Sequence, residues 1–274
     1  MIGADAFIEG ETMRDEVKAG SLKTWSAGDY FVIGRQLVLM AELLCESADL
    51  RAGERVLDVA TGSGNLALAA ARRFCVVTAL DFVPELVEIA RARAVAERFE
   101  ITVEEGDAED LPYPDGSFDV VLSTLGVMFA PDQHQAAREL VRVCRGGGRI
   151  GLANWAPDGF VGRLFAVLAG HVPPPPDVPS PLVWGTEESL RDLFAGHSFT
   201  LTRRDHVFRA HSATDWIDHY REYFGPVRQT FAALDPPAQQ RLTQDLTDLL
   251  QADNVARNST LLLPAAYVEV IIDL

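Results

Sequence analysis

The chain has 274 residues, is 48% hydrophobic, and carries 24 Lys and Arg against 40 Asp and Glu, a formal net charge of −16. That length can bury a full core as one α/β domain with an elaboration. The acidic balance argues against a nucleic-acid substrate, whose phosphates demand a basic face.

Three cysteines, Cys45, Cys75 and Cys144, are odd in number, far apart and set in apolar contexts. They predict reduced core thiols in a cytoplasmic protein, with neither disulfides nor a metal centre. The opening MIGADAFIEGETMRDE is acidic and lacks the apolar core of a secretion signal, and no run of about 18 apolar residues follows. A soluble protein without a membrane partner is expected.

Residues 1 to about 20 read as weakly structured. Asp29 to Ser47 shows apolar residues at helical spacing, which predicts one helix laid against a sheet edge. The stretch Arg55 to Ala71, RVLDVATGSGNLALAAA, then opens with Val56, Leu57 and Val59 around a single acid, Asp58. A turn with Gly62 and Gly64 follows, and Leu66 to Ala70 is good helix material. A buried strand that enters a glycine turn and leaves as a helix brings free N–H groups to the lip of a sheet. Glycine is expected at both positions because a Cβ would hold ligand and backbone apart.

Gly62 to Ala67, including Asn65, fits the dinucleotide spacing G-x-G-x-x-A, and Asp81 follows where a ribose-binding acid should sit. Asp58 opposes that reading, because its carboxylate would repel a pyrophosphate on the helix N-terminus. It suits a ligand with a cationic amino group and no phosphate, and S-adenosylmethionine (SAM) is such a ligand. Leu57-Asp58-Val59-Ala60-Thr61-Gly62-Ser63-Gly64 resembles the first motif of the class I SAM-dependent methyltransferases. The resemblance covers about residues 50–155 and is strongest to small-molecule enzymes of quinone and natural-product pathways; Gly126 to Pro131 is typical of bacterial members. It implies an α/β fold, a doubly wound, mostly parallel seven-stranded Rossmann-like sheet. It also places Ala60, Thr61, Gly62, Gly64 and Asn65 against the cofactor.

Val76 to Leu80 reads as a second strand ending in Asp81 and Phe82, with Pro84 opening a helix to about Arg98. Asp81 is placed to accept both ribose hydroxyls, and Phe82 to lie along the adenine. Ile101 to Glu105 reads as a third strand, and Gly106-Asp107-Ala108 resembles the family's third motif. An Asp107 carboxylate with a free Ala108 N–H matches the donor and acceptor on one adenine edge. Phe118 to Ser123 suits a central parallel strand, from whose end Ser123, Thr124 and Leu125 pass under the methionine part. Asp132 to Arg145 reads as a helix closed by Gly146-Gly147-Gly148, and Arg149 to Trp155 as a fifth strand. Phe199 to Arg209 and Ala265 to Asp273 fit the family's last two strands, the final one antiparallel. Trp25 and Tyr30, in a segment that in relatives folds over the cofactor, are candidates for closing the pocket.

Two insertions are expected to form a substrate cap. Ala156 to Ser198 contains the amphipathic Phe160 to Leu168, His171, a proline strut from Val172 to Pro181, and a helix capped by Thr186. Ser212 to Gly225 reads as an aromatic helix on which Asp215, His219 and Tyr223 share a face. If that face looks into the cleft, His219 oriented by Asp215 is a candidate general base, and His171 is another. The expected organisation is an N-terminal covering segment (1–48), a SAM-binding core (49–155), and cap insertions with the last two strands (156–274).

The expected reaction is methyl transfer to an O, N or C atom of a small, partly apolar acceptor. Proximity and orientation would do most of the work, in a monomer or homodimer. A non-catalytic SAM-binding protein and an NAD(P)-dependent oxidoreductase are the alternatives; the latter lacks a Tyr-x-x-x-Lys pair and is opposed by Asp58.

Overall fold

Val56, Leu57 and Val59 are wholly buried, and this apolar run with one acid makes Arg55–Val59 (β1) a central strand. The computed structural model describes residues 17–175 and 178–274. The expectations for residues 1–16, and for Pro176 and Asp177 in the proline run, lie outside them. β1 lies between Val76–Asp81 (β2) and Phe118–Thr124 (β4), with Ile101–Glu105 (β3) beyond β2, all parallel. Cys144–Trp155 (β5) continues the parallel run beside β4. Ser198–Ala210 (β6) forms the edge, paired antiparallel with Leu261–Asp273 (β7), which is itself antiparallel to β5. The order β3-β2-β1-β4-β5-β7-β6 is the expected seven-stranded, mostly parallel sheet with an antiparallel last strand.

Two expectations about the N-terminal helices change. Residues 17–26 (α1) are helical where weak structure was expected up to about residue 20. The single helix over Asp29 to Ser47 is instead two, Tyr30–Gly34 (α2) and Val38–Ser47 (α3), with Asp29 capping α2 through the N–H groups of Phe31 and Val32 at 3.1 Å. The break fits Gly34 against the glycine turn. Its carbonyl accepts from Asn65 Nδ2 at 2.7 Å, and a Cβ there would lie 2.8 Å from Ser63 Oγ. Periodicity cannot report a kink imposed by a distant segment.

Asn65–Arg72 (α4) presents Ala67, Ala69 and Ala70 to the sheet, small residues that let helix and strands approach closely. Pro84–Ala96 (α5) starts on its proline as expected, and Gln133–Val143 (α6) is capped by Asp132, which accepts from Gln135 N–H at 2.9 Å. Gly146 to Gly148 do not cap α6, which runs directly into β5 with these glycines inside the strand. A Cβ on Gly148 would stand 2.7 Å from the Asp119 carbonyl, where the β4–β5 register shifts, so the glycine serves a close strand passage.

Phe160–His171 (α7) and Glu187–Leu193 (α8) occupy the first insertion, α8 capped by Thr186. Ala213–Tyr223 (α9) follows β6 with Ser212 as its cap. Two further helices lie between β6 and β7 beyond the one expected there, Gly225–Ala233 (α10) and Pro236–Asp253 (α11). Leu242, Leu246 and Leu250 bury one stripe of α11, and α7, α9, α10 and α11 pack on one another as a helical layer.

Candidate active site

A cleft opens at the carboxyl ends of β1, β2 and β4, roofed by α1, α2, α7 and α9. At the end of β1, Asp58 Oδ2 accepts from Thr61 Oγ1 at 2.5 Å and from the Ala67 N–H at 2.9 Å. The other oxygen, Oδ1, is buried and has no hydrogen-bond partner among the described residues. Burial pushes this carboxyl up to about 7, with the nearby Asp81 adding in the same direction. Asp81 Oδ2 accepts from the Gly62 N–H at 2.8 Å and Oδ1 from the Val83 N–H at 3.0 Å, and burial raises it to about 6. Asp107 Oδ2 meets Lys18 Nζ of α1 at 2.6 Å, and its Oδ1 accepts from the Glu109 N–H at 2.9 Å. Lys18 also reaches Glu109 Oε2 at 2.8 Å. Burial works against its charge, but these two carboxylates hold its affinity for the proton above the ordinary value. Lys18 lines the cleft beside Asp107, a contact the sequence does not signal.

The backbone at the lip is unusual. Gly62 and Gly64 take φ of +56° and +85°, and Ala60 and Leu125, which are not glycine, take 55° and 59°. A Cβ on Gly126 would fall 2.6 Å from the Ala60 carbonyl, so the ends of β1 and β4 touch where the cleft floor narrows. Two non-glycine residues held in this region beside one cleft point to a constraint from function there.

Most of the residues singled out from sequence line this one cleft. Asp58, Ala60, Thr61, Gly62 and Asn65 do so from the first turn; Asp81, Phe82, Gly106, Asp107 and Ala108 from the next two strand ends; Thr124 and Leu125 from β4. Trp25 and Tyr30 lie over it, ring centroids 5.3 Å apart, and the Tyr30 hydroxyl accepts from the Gly225 N–H at 3.2 Å. Asn65 has a second duty, since its Oδ1 accepts from Arg93 at 2.8 Å while Nδ2 holds Gly34.

Five of the residues singled out from sequence are not in the cleft lining. Gly64 does not line the cleft; a Cβ on it would lie 3.2 Å from that of Ala90, so it serves the packing of the turn against α5. Ser123 is fully buried and also off the lining. Its hydroxyl donates to the Val59 carbonyl at 2.7 Å and accepts from the Val127 N–H at 3.1 Å, bracing the floor. His219 and Asp215 border a second, outer cavity that shares Trp216 and Tyr220 with the cleft; His219 Nε2 lies 3.1 Å from Gln36 Nε2, and burial together with Arg35 lowers the imidazole's proton affinity. His171 pairs with Asp245 at 2.7 Å, tying α7 to α11 away from the cleft. The reason for α9 is its amphipathicity: the buried face is Trp216 and Tyr220, and that face lines the cleft while Asp215 is exposed.

The rest of the lining includes Phe160 and Leu164, from the amphipathic stretch expected in the cap, and Phe129, Trp155, Phe208 and Phe224, which were not expected as site residues. A further signal was Trp216 and Tyr220 at i and i+4 in the aromatic helix. Their rings stack at 3.9 Å and 11°.

The residues present fit SAM. A buried carboxylate oxygen without a partner asks for a donor or a cation, and acids at three successive strand ends would repel a pyrophosphate. Residues 57–152 match the methyltransferase domain family. An uncharacterised protein of Mycobacterium tuberculosis is 39% identical over 232 residues, spanning 82% of this chain and 85% of its own. The demethylmenaquinone methyltransferase of Deinococcus radiodurans is 42% identical over 124 residues, 44% of this chain and 52% of its own. Among solved structures, the YcgJ protein of Bacillus subtilis is 20% identical, covers 88% of this chain and 98% of its own, and superposes with a TM-score of 0.59. A Bacillus halodurans protein is 21% identical over 85% of this chain and 97% of its own, with a TM-score of 0.62. With the motif turn, the sheet order and these relatives in agreement, the chain belongs to the class I SAM-dependent methyltransferases.

Proposed function

We propose that the protein transfers a methyl group to an O, N or C atom of a small-molecule acceptor enclosed between the sheet and the helical layer. The observation that carries this reading is the buried, unpartnered Oδ1 of Asp58 beside the Gly62 turn. SAM supplies a methyl group already activated on a sulfonium, so the protein's share is alignment in a dry cleft. Asp58 takes the amino group, Asp81 the ribose hydroxyls, and Asp107 with the Ala108 N–H the adenine edge, with Phe82 along its face. The carboxylate oxygens of Asp81 each accept one backbone N–H and keep a lone pair for a hydroxyl. Thr124 and Leu125 run beneath the methionine part, and Trp25 and Tyr30 exclude water from above. In this reading the described part of the N-terminal segment, 17–48, covers the cofactor, 49–155 binds it, and the insertions within 156–274 close around the acceptor.

No carboxylate or imidazole borders the acceptor half of the cleft among the described residues, which favours proximity over general-base catalysis. A mass spectrum of ligands retained by the purified protein, after exposure to a mixture of SAM and NADH, tests the reading. Retention of SAM or its demethylated product S-adenosylhomocysteine is expected; retention of NADH, or of neither, overturns it.

A further inference from the structure

The cleft is divided by charge. Its charged lining residues are Lys18, Asp58, Asp81 and Asp107, all on the side built from α1 and the ends of β1, β2 and β3. The opposite side, from the β4 and β5 ends, α7, β6 and α9, contributes no Lys, Arg, Asp, Glu or His to the lining among the described residues. What it contributes is rings. Trp216 stacks on Tyr220, Phe160 meets Trp216 edge-on at 5.7 Å, and Phe224 lies 5.7 Å from Tyr220 and 6.3 Å from Tyr30. An ion entering such a wall would lose its hydration without gaining a counter-charge. A flat apolar body would meet ring edges and faces at contact distance.

Polar atoms on this side are few and unspent. Trp216 Nε1 and the Tyr220 hydroxyl are each buried without a hydrogen-bond partner among the described residues, in side chains only 2% and 4% exposed that border both the cleft and the outer cavity. Indole N–H donates only, and the phenol, whose proton burial holds firmly, donates as well. Two unsatisfied buried groups one turn apart on α9 are costly unless a ligand supplies what they lack.

Resting on the methyltransferase reading, we infer that the acceptor is an uncharged, flat, ring-bearing molecule whose oxygen takes a hydrogen bond from Tyr220. Tyr220 is a specificity-determining residue, and the Trp216–Tyr220 pair is the wall that the acceptor ring meets.

Calorimetric titration of the intact protein, with and without saturating S-adenosylhomocysteine, tests this with four matched probes: biphenyl, 4-phenylphenol, biphenyl-4-carboxylate and 4-phenylbenzylammonium. 4-Phenylphenol is expected to bind at least about ten-fold more tightly than either charged probe. Tyr220→Phe, which keeps the ring and the packing, should weaken 4-phenylphenol by about five-fold, the loss of one neutral hydrogen bond, and leave biphenyl unmoved. The inference is overturned if a charged probe binds as well as 4-phenylphenol, if none of the four binds, or if the variant shifts phenol and biphenyl alike. Failure of the methyltransferase reading registers separately, as absent heat with S-adenosylhomocysteine itself.

Discussion

The backbone N–H of Gly62 donates to Asp81 Oδ2 across 2.8 Å, joining the glycine turn after β1 to the acid at the end of β2. The Val83 N–H holds the other oxygen at 3.0 Å, so the acid is fixed before any ligand arrives. Asp81→Asn would turn one acceptor into an amide that faces an N–H donor. The expected result is a loss of S-adenosylhomocysteine affinity of about 10- to 100-fold together with a lower melting temperature, read by calorimetry and thermal unfolding.

Asp58 gives a pH signature. Its folded-state value of about 7 lies above the ordinary 3.8, so the native protein holds an extra proton between those limits and its stability falls as pH rises through the window. Asp58→Asn removes that cost. Relative to wild type, the variant should gain nothing near pH 4 and then roughly 1.4 kcal/mol per pH unit as an upper limit, levelling off above pH 7. Urea melts across this range check it. In the wild type, S-adenosylhomocysteine affinity should fall as the pH drops below 7, because the carboxylate that takes its amino group is being protonated.

The two motif glycines should separate. Both have positive φ, but a Cβ at Gly62, which lines the cleft, meets no atom of the described residues within 4 Å, whereas at Gly64 it meets Ala90 at 3.2 Å. Gly62→Ala should cost about 1 kcal/mol of stability and at least about ten-fold in ligand affinity. Gly64→Ala should cost about 2–3 kcal/mol of stability, with affinity in the surviving folded protein nearly intact. Paired denaturant melts and titrations distinguish the two patterns.

His219→Ala and His171→Ala remove imidazoles that are not in the cleft lining: His171 sits against Asp245, and His219 against Gln36 with its ring 5.6 Å from that of Tyr220. Each variant should keep S-adenosylhomocysteine affinity within about two-fold of wild type. A larger loss in either would return that histidine to the site.

The strand ends were legible because their signals are local. A run such as Val56-Leu57-Asp58-Val59 entering Gly62 states a strand, a turn and an acid in a few residues, and the same holds at Asp81 and Asp107. What escaped depends on contacts far apart in sequence. The helix break after Gly34 answers to Ser63 and Asn65, and the inward turn of Ser123 answers to the Val59 carbonyl. Lys18 finds Asp107 across the cleft mouth. On α9 Asp215, His219 and Tyr223 stand at i, i+4 and i+8 of one helix as expected, but burial of Trp216 and Tyr220 decided which face looks inward. Hydrophobic area outweighs a polar stripe when a helix settles on a core.

The most direct test compares two ligands that differ by the amino-acid tail, S-adenosylhomocysteine and 5′-methylthioadenosine, titrated calorimetrically into wild type and Asp58→Asn. If the lone oxygen of Asp58 receives the ammonium, the substitution weakens the first ligand by at least about ten-fold and leaves the second within about two-fold. Equal losses for both, or no loss for either, would contradict that assignment.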